Sequence, residues 1–378
     1  MKKKLPTHIL RASLATFLIA ALAACSSTPG KPKPADLPSN VALLGVRQAW
    51  SAKLGEVGFP LTVAVSGSTV TVASNNGTVL ALEGATGREL WRASVGAPLS
   101  AGVGSDGKVA AVVTRENEVV TLDAGRVLWR QRLGAQTYTA PLVAGGRVFL
   151  LAADRSVAAF DGQTGRRLWN QQRTGEALVL GQSSILLAVG DTLVAGMSGR
   201  LVGMNPVNGS VRWEAAIAAP RGTNEVERLV DLVGSVSRVG NVVCARAFQS
   251  AVGCVDALTG RLLWTKPALA SEGVGGNDTA VFGAEKDGNV LAWNRTDGER
   301  LWSSERLRYR TLSAPLAVGR SVVVGDGTGL VHFLSREDGS ALTRVATDGS
   351  AIAADPVLAG NTVVVVTHNG GVFGFQPE

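Results

Sequence analysis

Residues that commonly carry chemistry are scarce in this chain. Three cysteines and three histidines are spread over 378 residues. No two cysteines are adjacent, and neither His332 nor His368 stands in a metal-ligand spacing, so the sequence carries no signal for a metal centre or a catalytic thiol. Nucleic-acid binding has no support either. The formal charge of +7 falls to +3 once Lys2, Lys3, Lys4 and Arg11 are set aside with the leader described next, and no basic patch remains. Lys31 and Lys33, separated by prolines, are accounted for by solvation near anionic head groups. The one long apolar run, Leu14 to Ala24, is too short to cross a bilayer comfortably as a permanent helix.

What is there begins with that run. A basic start, Met1-Lys2-Lys3-Lys4, followed by an apolar stretch ending in small residues, is the pattern of a signal peptide. Its end, Leu22-Ala23-Ala24-Cys25, resembles the lipobox of bacterial lipoproteins. The resemblance implies cleavage after residue 24, lipidation of Cys25 and, since Ser26 rather than Asp follows, delivery to the outer membrane. Ser26 to Asn40 is rich in Pro, Ser and Lys without apolar periodicity, which predicts an extended tether. The expected organisation is a leader over 1–24, a lipidated N-terminus and flexible tether over 25–45, and a globular body over 46–378.

The body is repetitive. A block ending in Gly-x-x-Leu-Trp, or a close variant, recurs with its last residue at Trp91, Trp129, Trp169, Trp213, Trp264, Trp302 and the degenerate Thr343, at spacings of 38, 40, 44, 51, 38 and 41 residues. Upstream of each block lies a Pro or apolar residue, a strand, a Gly-containing turn and another strand, clearest from Pro141, Pro315 and Pro356. Four short strands per period of about forty residues predict the blades of a β-propeller, an all-β fold. The last copy stops before its Trp strand, while Val46-Arg47-Gln48-Ala49-Trp50 stands alone at the start. The two fragments complete each other, giving eight four-stranded antiparallel blades and a ring closed by a strand from the N-terminus, with no free edge left at the seam. The tryptophans read as packing against the neighbouring blade. Asp123, Asp161, Asp256 and Asp297 read as turn residues bonded to nearby amides.

The stretch Ala159-Phe160-Asp161-Gly162-Gln163-Thr164-Gly165-Arg166-Arg167-Leu168-Trp169 resembles the repeats of pyrroloquinoline quinone dehydrogenases. That resemblance raises the reading of a periplasmic quinoprotein dehydrogenase. It would require a calcium-bearing funnel, a catalytic carboxylate and, in many members, a disulfide between adjacent cysteines, which this sequence does not have. The chain is also short for the loops that build such a funnel.

A lipobox combined with these repeats is similar to the BamB family, lipoprotein propellers of the β-barrel assembly (BAM) machinery. The likeness extends from the lipobox to the final strand and is most specific at Arg221-Gly-Thr-Asn-Glu-Val-Glu-Arg-Leu-Val-Asp231. It implies a non-catalytic scaffold without cofactor, whose partners are the periplasmic POTRA domains of BamA and other BAM subunits. Unfolded outer-membrane proteins would be further partners if an extended chain paired with an exposed blade edge. A third class, a propeller taking a small ligand or a peptidoglycan fragment in its central channel, is left open.

The spacings also locate a surface. Loops that follow the Trp strands all open on one face, and the two longest spacings, 44 and 51, are consecutive, so their inserts are neighbours. The first, Gln171 to Ser184, carries Leu178-Val179-Leu180. The second carries Glu225, Glu227, Arg228 and Asp231 with Leu229, Val230 and Leu232. Apolar residues rimmed by fixed charge suit a protein interface, although the same leucines could tuck under their own loops. In the BamB family the matching loops contact a POTRA domain. By that resemblance Asp231 retains a family acid, Val233 stands where a second acid would be, and Leu180 stands where an Arg would be, implying a more apolar contact. Leu178, Leu180, Arg228 and Asp231 are the expected partner-binding residues. Finally, in a hairpin centred at Gln249, Cys244 and Cys254 would face each other. A bond between them depends on cross-strand geometry that the sequence does not specify.

Overall fold

Runs such as Val109–Val113 and Ser321–Gly325 are buried at every position, whereas Glu89–Ser94 and Arg126–Arg132 are mostly exposed. Strands covered on both faces lose the alternation of a half-exposed sheet and become apolar throughout. Here that cover comes from the blades on either side. The computed structural model describes residues 32–173 and 178–378. Among these residues the secondary structure is all strand, in eight antiparallel four-stranded sheets.

Seven sheets are consecutive in the chain, and their outermost strands are Glu89–Ser94, Arg126–Arg132, Arg167–Gln171, Val211–Ala216, Arg261–Pro267, Arg300–Ser304 and Ala341–Ala346, which define blades 1 to 7. Blade 8 combines Val357–Ala359, Thr362–Val366 and Gly371–Pro377 with Val46–Lys53, which pairs antiparallel to Gly371–Pro377 from Val46 opposite Pro377 to Lys53 opposite Gly371. Inner strands of neighbouring blades touch around the ring, the first blade with the last included. The eight-bladed propeller closed by its N-terminal strand is therefore the fold the repeat predicted.

The blades are joined by their tryptophans. Each lies over the Gly of the outer turn in the next blade: Trp50 on Gly87, Trp129 on Gly165, Trp169 on Gly209, Trp213 on Gly260, Trp264 on Gly298 and Trp302 on Gly339. The indole N–H groups of Trp50, Trp129, Trp169, Trp264 and Trp302 donate to the carbonyls of Gly84, Gly162, Pro206, Arg295 and Arg336 at 2.7–3.0 Å. A Cβ on Gly165 would sit 2.6 Å from the Trp129 ring, and the residue has φ of +71°. Glycine is thus required twice over there, for the turn and for the stack. The turn acids behave as predicted where their bonds are visible: Asp161 Oδ1 accepts from the amides of Gln163 and Thr164, and Asp256 Oδ1 from that of Leu258.

Thr343 replaces tryptophan for a reason the sequence did not reveal. Blade 7 faces blade 8, whose outer two strands come from opposite ends of the chain, so there is no glycine turn to receive an indole. Instead the N-terminal segment fills the space. The Leu43 amide donates to the Leu342 carbonyl at 2.7 Å, and Asn40 Nδ2 donates to the Arg344 carbonyl at 3.0 Å. This corrects the expected tether. From Ala35 onward the chain belongs with the propeller, because an outermost strand offers unpaired backbone groups that an extended segment can satisfy. Cys25 lies outside the described residues.

Candidate docking site on the insert face

The loops that follow the outermost strands and the turns between the second and third strands share one face of the ring. On it, the two inserts meet across blade 4. The Leu180 amide, in the first insert, donates to Asp231 Oδ2, at the end of the second, at 3.0 Å. Arg155, from a turn in blade 3, ties them further: its Nη2 lies 4.0 Å from Asp231 Oδ1 and donates to the Leu178 carbonyl at 3.3 Å, while its Nε donates to Ser198 Oγ at 2.7 Å. The Arg155 and Asp231 side chains are only 9% and 15% exposed. A buried ion pair with its remaining donors and acceptors matched fixes geometry more than it adds stability.

The predicted residues therefore divide. Leu178 points outward, at 37% exposure, and Leu180 is half-buried. Arg228 borders the same cleft as Leu178, Glu225 and Asp231. Asp231 faces inward and acts as a positioning residue that holds both inserts. Val230 and Leu232 are buried beneath the second insert, so part of the apolar run is local core. Glu227 is occupied by its own turn: its Oε2 accepts from the Thr223 amide at 2.9 Å, a bond that helps hold its carboxyl below the usual range.

Two residues escaped the sequence reading. Val226, at 72% exposure, is the most open large apolar side chain of the second insert. Arg155 has φ of +62°, and its turn position is occupied by Gly77, Gly199, Gly288, Gly329 and Gly370 in other blades. A side chain kept in the left-handed region where most siblings use glycine was a readable signal.

The second cavity is the central channel, about 510 Å³, lined by apolar side chains such as Leu61, Val63, Val143 and Leu187. Glu272 and Asp355 also line it. Burial, reinforced by the Asp355 charge, pushes the Glu272 carboxyl up to about 7. Burial also raises Asp355, although its carboxylate accepts from the Ala314 amide at 2.8 Å. His332 is buried and bonded through Nε2 to Asp326 Oδ2 at 2.9 Å, and Arg310 Nε meets the same oxygen at 2.9 Å. Burial alone would raise Asp326, but hydrogen bonds from His332, Thr328 and the Leu330 amide together hold it far below the usual range. That histidine is structural.

A propeller that displays two tied inserts on one face has the construction of a ring-shaped docking module. The chain belongs to the family described as outer membrane protein assembly factor BamB, whose model matches residues 45–100, 75–304 and 305–378. Among its relatives are the outer membrane protein assembly factors BamB of Burkholderia pseudomallei, 41% identical over 94% of this chain and 95% of that one, and of Bordetella pertussis, 34% identical over 98% of each. The crystal structure of BamB from Moraxella catarrhalis superposes with a TM-score of 0.80 at 25% identity, covering 88% of this chain and 99% of that one. Quinohemoprotein alcohol dehydrogenase from Comamonas testosteroni, at 14% identity and a TM-score of 0.68, shares the fold alone.

Proposed function

We propose that this propeller is a non-catalytic scaffold subunit of the outer-membrane β-barrel assembly complex, anchored through lipid on Cys25 to the periplasmic face of the outer membrane. In this reading the insert face docks on the periplasmic POTRA domains of BamA and aligns them while outer-membrane proteins fold and insert. Family membership supports the complex, and the tied inserts support the surface. The observation that carries the docking assignment is the bracing of both inserts by Asp231 and Arg155, which leaves Leu178 and Val226 facing solvent on a preorganised surface. Preorganisation lowers the ordering cost of association, and exposed apolar side chains rimmed by charge supply the contact.

The test is the affinity of the purified protein for the purified periplasmic domains of BamA from the same organism. Leu178→Glu with Val226→Glu should keep the wild-type circular dichroism and melting temperature, because both side chains are already exposed, and should weaken binding by at least about tenfold. Wild-type affinity in the double variant would place the interface elsewhere. No binding by folded wild-type protein would remove the direct-scaffold reading.

A further inference from the structure

The N-terminal segment does more than close a seam, because it fixes where the chain leaves the propeller. Its path runs along the outermost strand of blade 7 to the insert face. Besides the bonds of Asn40 and Leu43, the Arg344 guanidinium donates to the Pro38 carbonyl at 3.2 Å and that of Arg320 to the Leu43 carbonyl at 2.9 Å. Leu37 packs against the apolar cluster containing Leu307 and Leu312. At the far end, the Ala35 amide donates to the Arg308 carbonyl at 2.9 Å, and Arg310 Nη1 donates to the Ala35 carbonyl at 3.0 Å. Arg310 is itself held by buried Asp326. Whatever precedes Ala35 must therefore start from the loop between blades 6 and 7, on the insert face.

That loop has an unusual composition and shape. Residues 305–311 read Glu-Arg-Leu-Arg-Tyr-Arg-Thr. Tyr309 and Thr311 have φ of +61° and +54°, and Tyr309 is exposed with the Arg308 guanidinium 5.5 Å above its ring. A tyrosine held in the left-handed region at a loop tip is uncommon. Three of the neighbouring acids are engaged locally. Glu305 pairs with Arg308 at 3.2 Å, Asp287 bonds the amide and side chain of Asn289, and Asp326 is buried against Arg310 and His332. Arg306, in the same loop, and Lys286, in the adjoining turn of blade 6, are both exposed, and the Arg306 charge also reaches Asp338 in the outer turn of blade 7.

We propose that this rim, at the loop between blades 6 and 7, is a membrane-contact surface that rests on anionic phospholipid head groups. The proposal depends on the lipid-anchor reading above. The ten residues from Cys25 to Pro34 reach at most about 35 Å when extended, so an acylated Cys25 keeps the exit point near the bilayer. Exposed cations gain from the negative surface potential over about a Debye length, and tyrosine suits the interfacial zone. The rim would thus set which way the insert face is turned, and membrane anchoring and partner docking would share one side of the ring.

The experiment uses the full mature lipoprotein in vesicles of phosphatidylcholine with phosphatidylglycerol, or of phosphatidylcholine alone. A fluorophore is attached through Thr311→Cys, or through Glu337→Cys on the opposite face of the same blade, with energy-transfer acceptors on the head groups. Transfer should be strong at 311, weak at 337, and reduced at 311 by phosphatidylcholine alone, by high salt, or by Arg306→Glu with Lys286→Glu. Transfer at 311 no greater than at 337, or unchanged by lipid charge and by the double variant, overturns the proposal. Protein that fails to float with either vesicle overturns the anchor reading, and the rim proposal with it.

Discussion

Glu272 and Asp355 approach the central channel from the loops leading into blades 6 and 8, and burial together with the Asp355 charge disfavours ionisation of Glu272. The folded protein holds the Glu272 proton more tightly than the unfolded chain does, with a folded value of about 7 against an ordinary 4.5. Stability is therefore unaffected by this group at low pH. It falls as pH rises between those two values, because the native state must then ionise a buried acid. Glu272→Gln removes that penalty. The variant should gain stability at pH 8, on the order of 3 kcal/mol as an upper figure, and show little gain at pH 4.5. Denaturant titrations at the two pH values measure this, and an equal gain at both would refute the ionisation argument. Arg155 illustrates the opposite use of burial, since its guanidinium is matched to Asp231, Ser198 and a carbonyl.

At the scale of the element, the outermost strand and its preceding turn are one packing unit shared by two blades. Gly165→Ala should destabilise by about 2–4 kcal/mol through overpacking and a left-handed backbone, read as a lower melting temperature. Thr343→Trp should give no stabilisation even though it restores the repeat, since blade 8 offers no glycine turn beneath it. A clear gain there would mean that the N-terminal segment yields to the ring. In blade 5, Cys244 and Cys254 are direct partners in the ladder, with Cα atoms 3.9 Å apart and the sulfurs joined. A bond spanning 10 positions contributes about 2–3 kcal/mol by constraining the unfolded chain. The unfolded, unreduced protein should therefore show no free thiol from these residues, and two thiols would exclude the bond in solution.

For the whole molecule, closure is the controlling event. Blade 8 exists only when Val46–Lys53 pairs with Gly371–Pro377, so chain ends more than 300 residues apart must meet before the ring is complete. Deleting residues 46–53 would expose the edge of Gly371–Pro377 and uncover Gly87, where Trp50 packs. The truncated protein should lose its single cooperative unfolding transition and self-associate through the open edge, as seen by calorimetry and size-exclusion chromatography. A monomer unfolding as cooperatively as the parent would show that closure is dispensable.

Blade number, the seam and the stacking role of the tryptophans were legible in the sequence because they follow from a period and from local turn chemistry. Consecutive long spacings also placed the two inserts side by side. Beyond that, the decisive facts are contacts between residues far apart in the chain. Leu178 and Asp231 share one site, but only the folded ring shows that Asp231 turns inward to Leu180 and Arg155 while Val226 turns outward. Likewise the Pro-rich composition before Val46 implied an extended tether, and the described residues from 32 to 45 form neither helix nor strand. Composition could not show that an outermost strand nearly 300 residues away offers the unpaired carbonyl that binds it. The sequence determined the repeating unit, since each blade is built from local strands and turns. The tertiary structure decided which side chains face a partner and where the chain departs, because both depend on how distant blades meet when the ring closes.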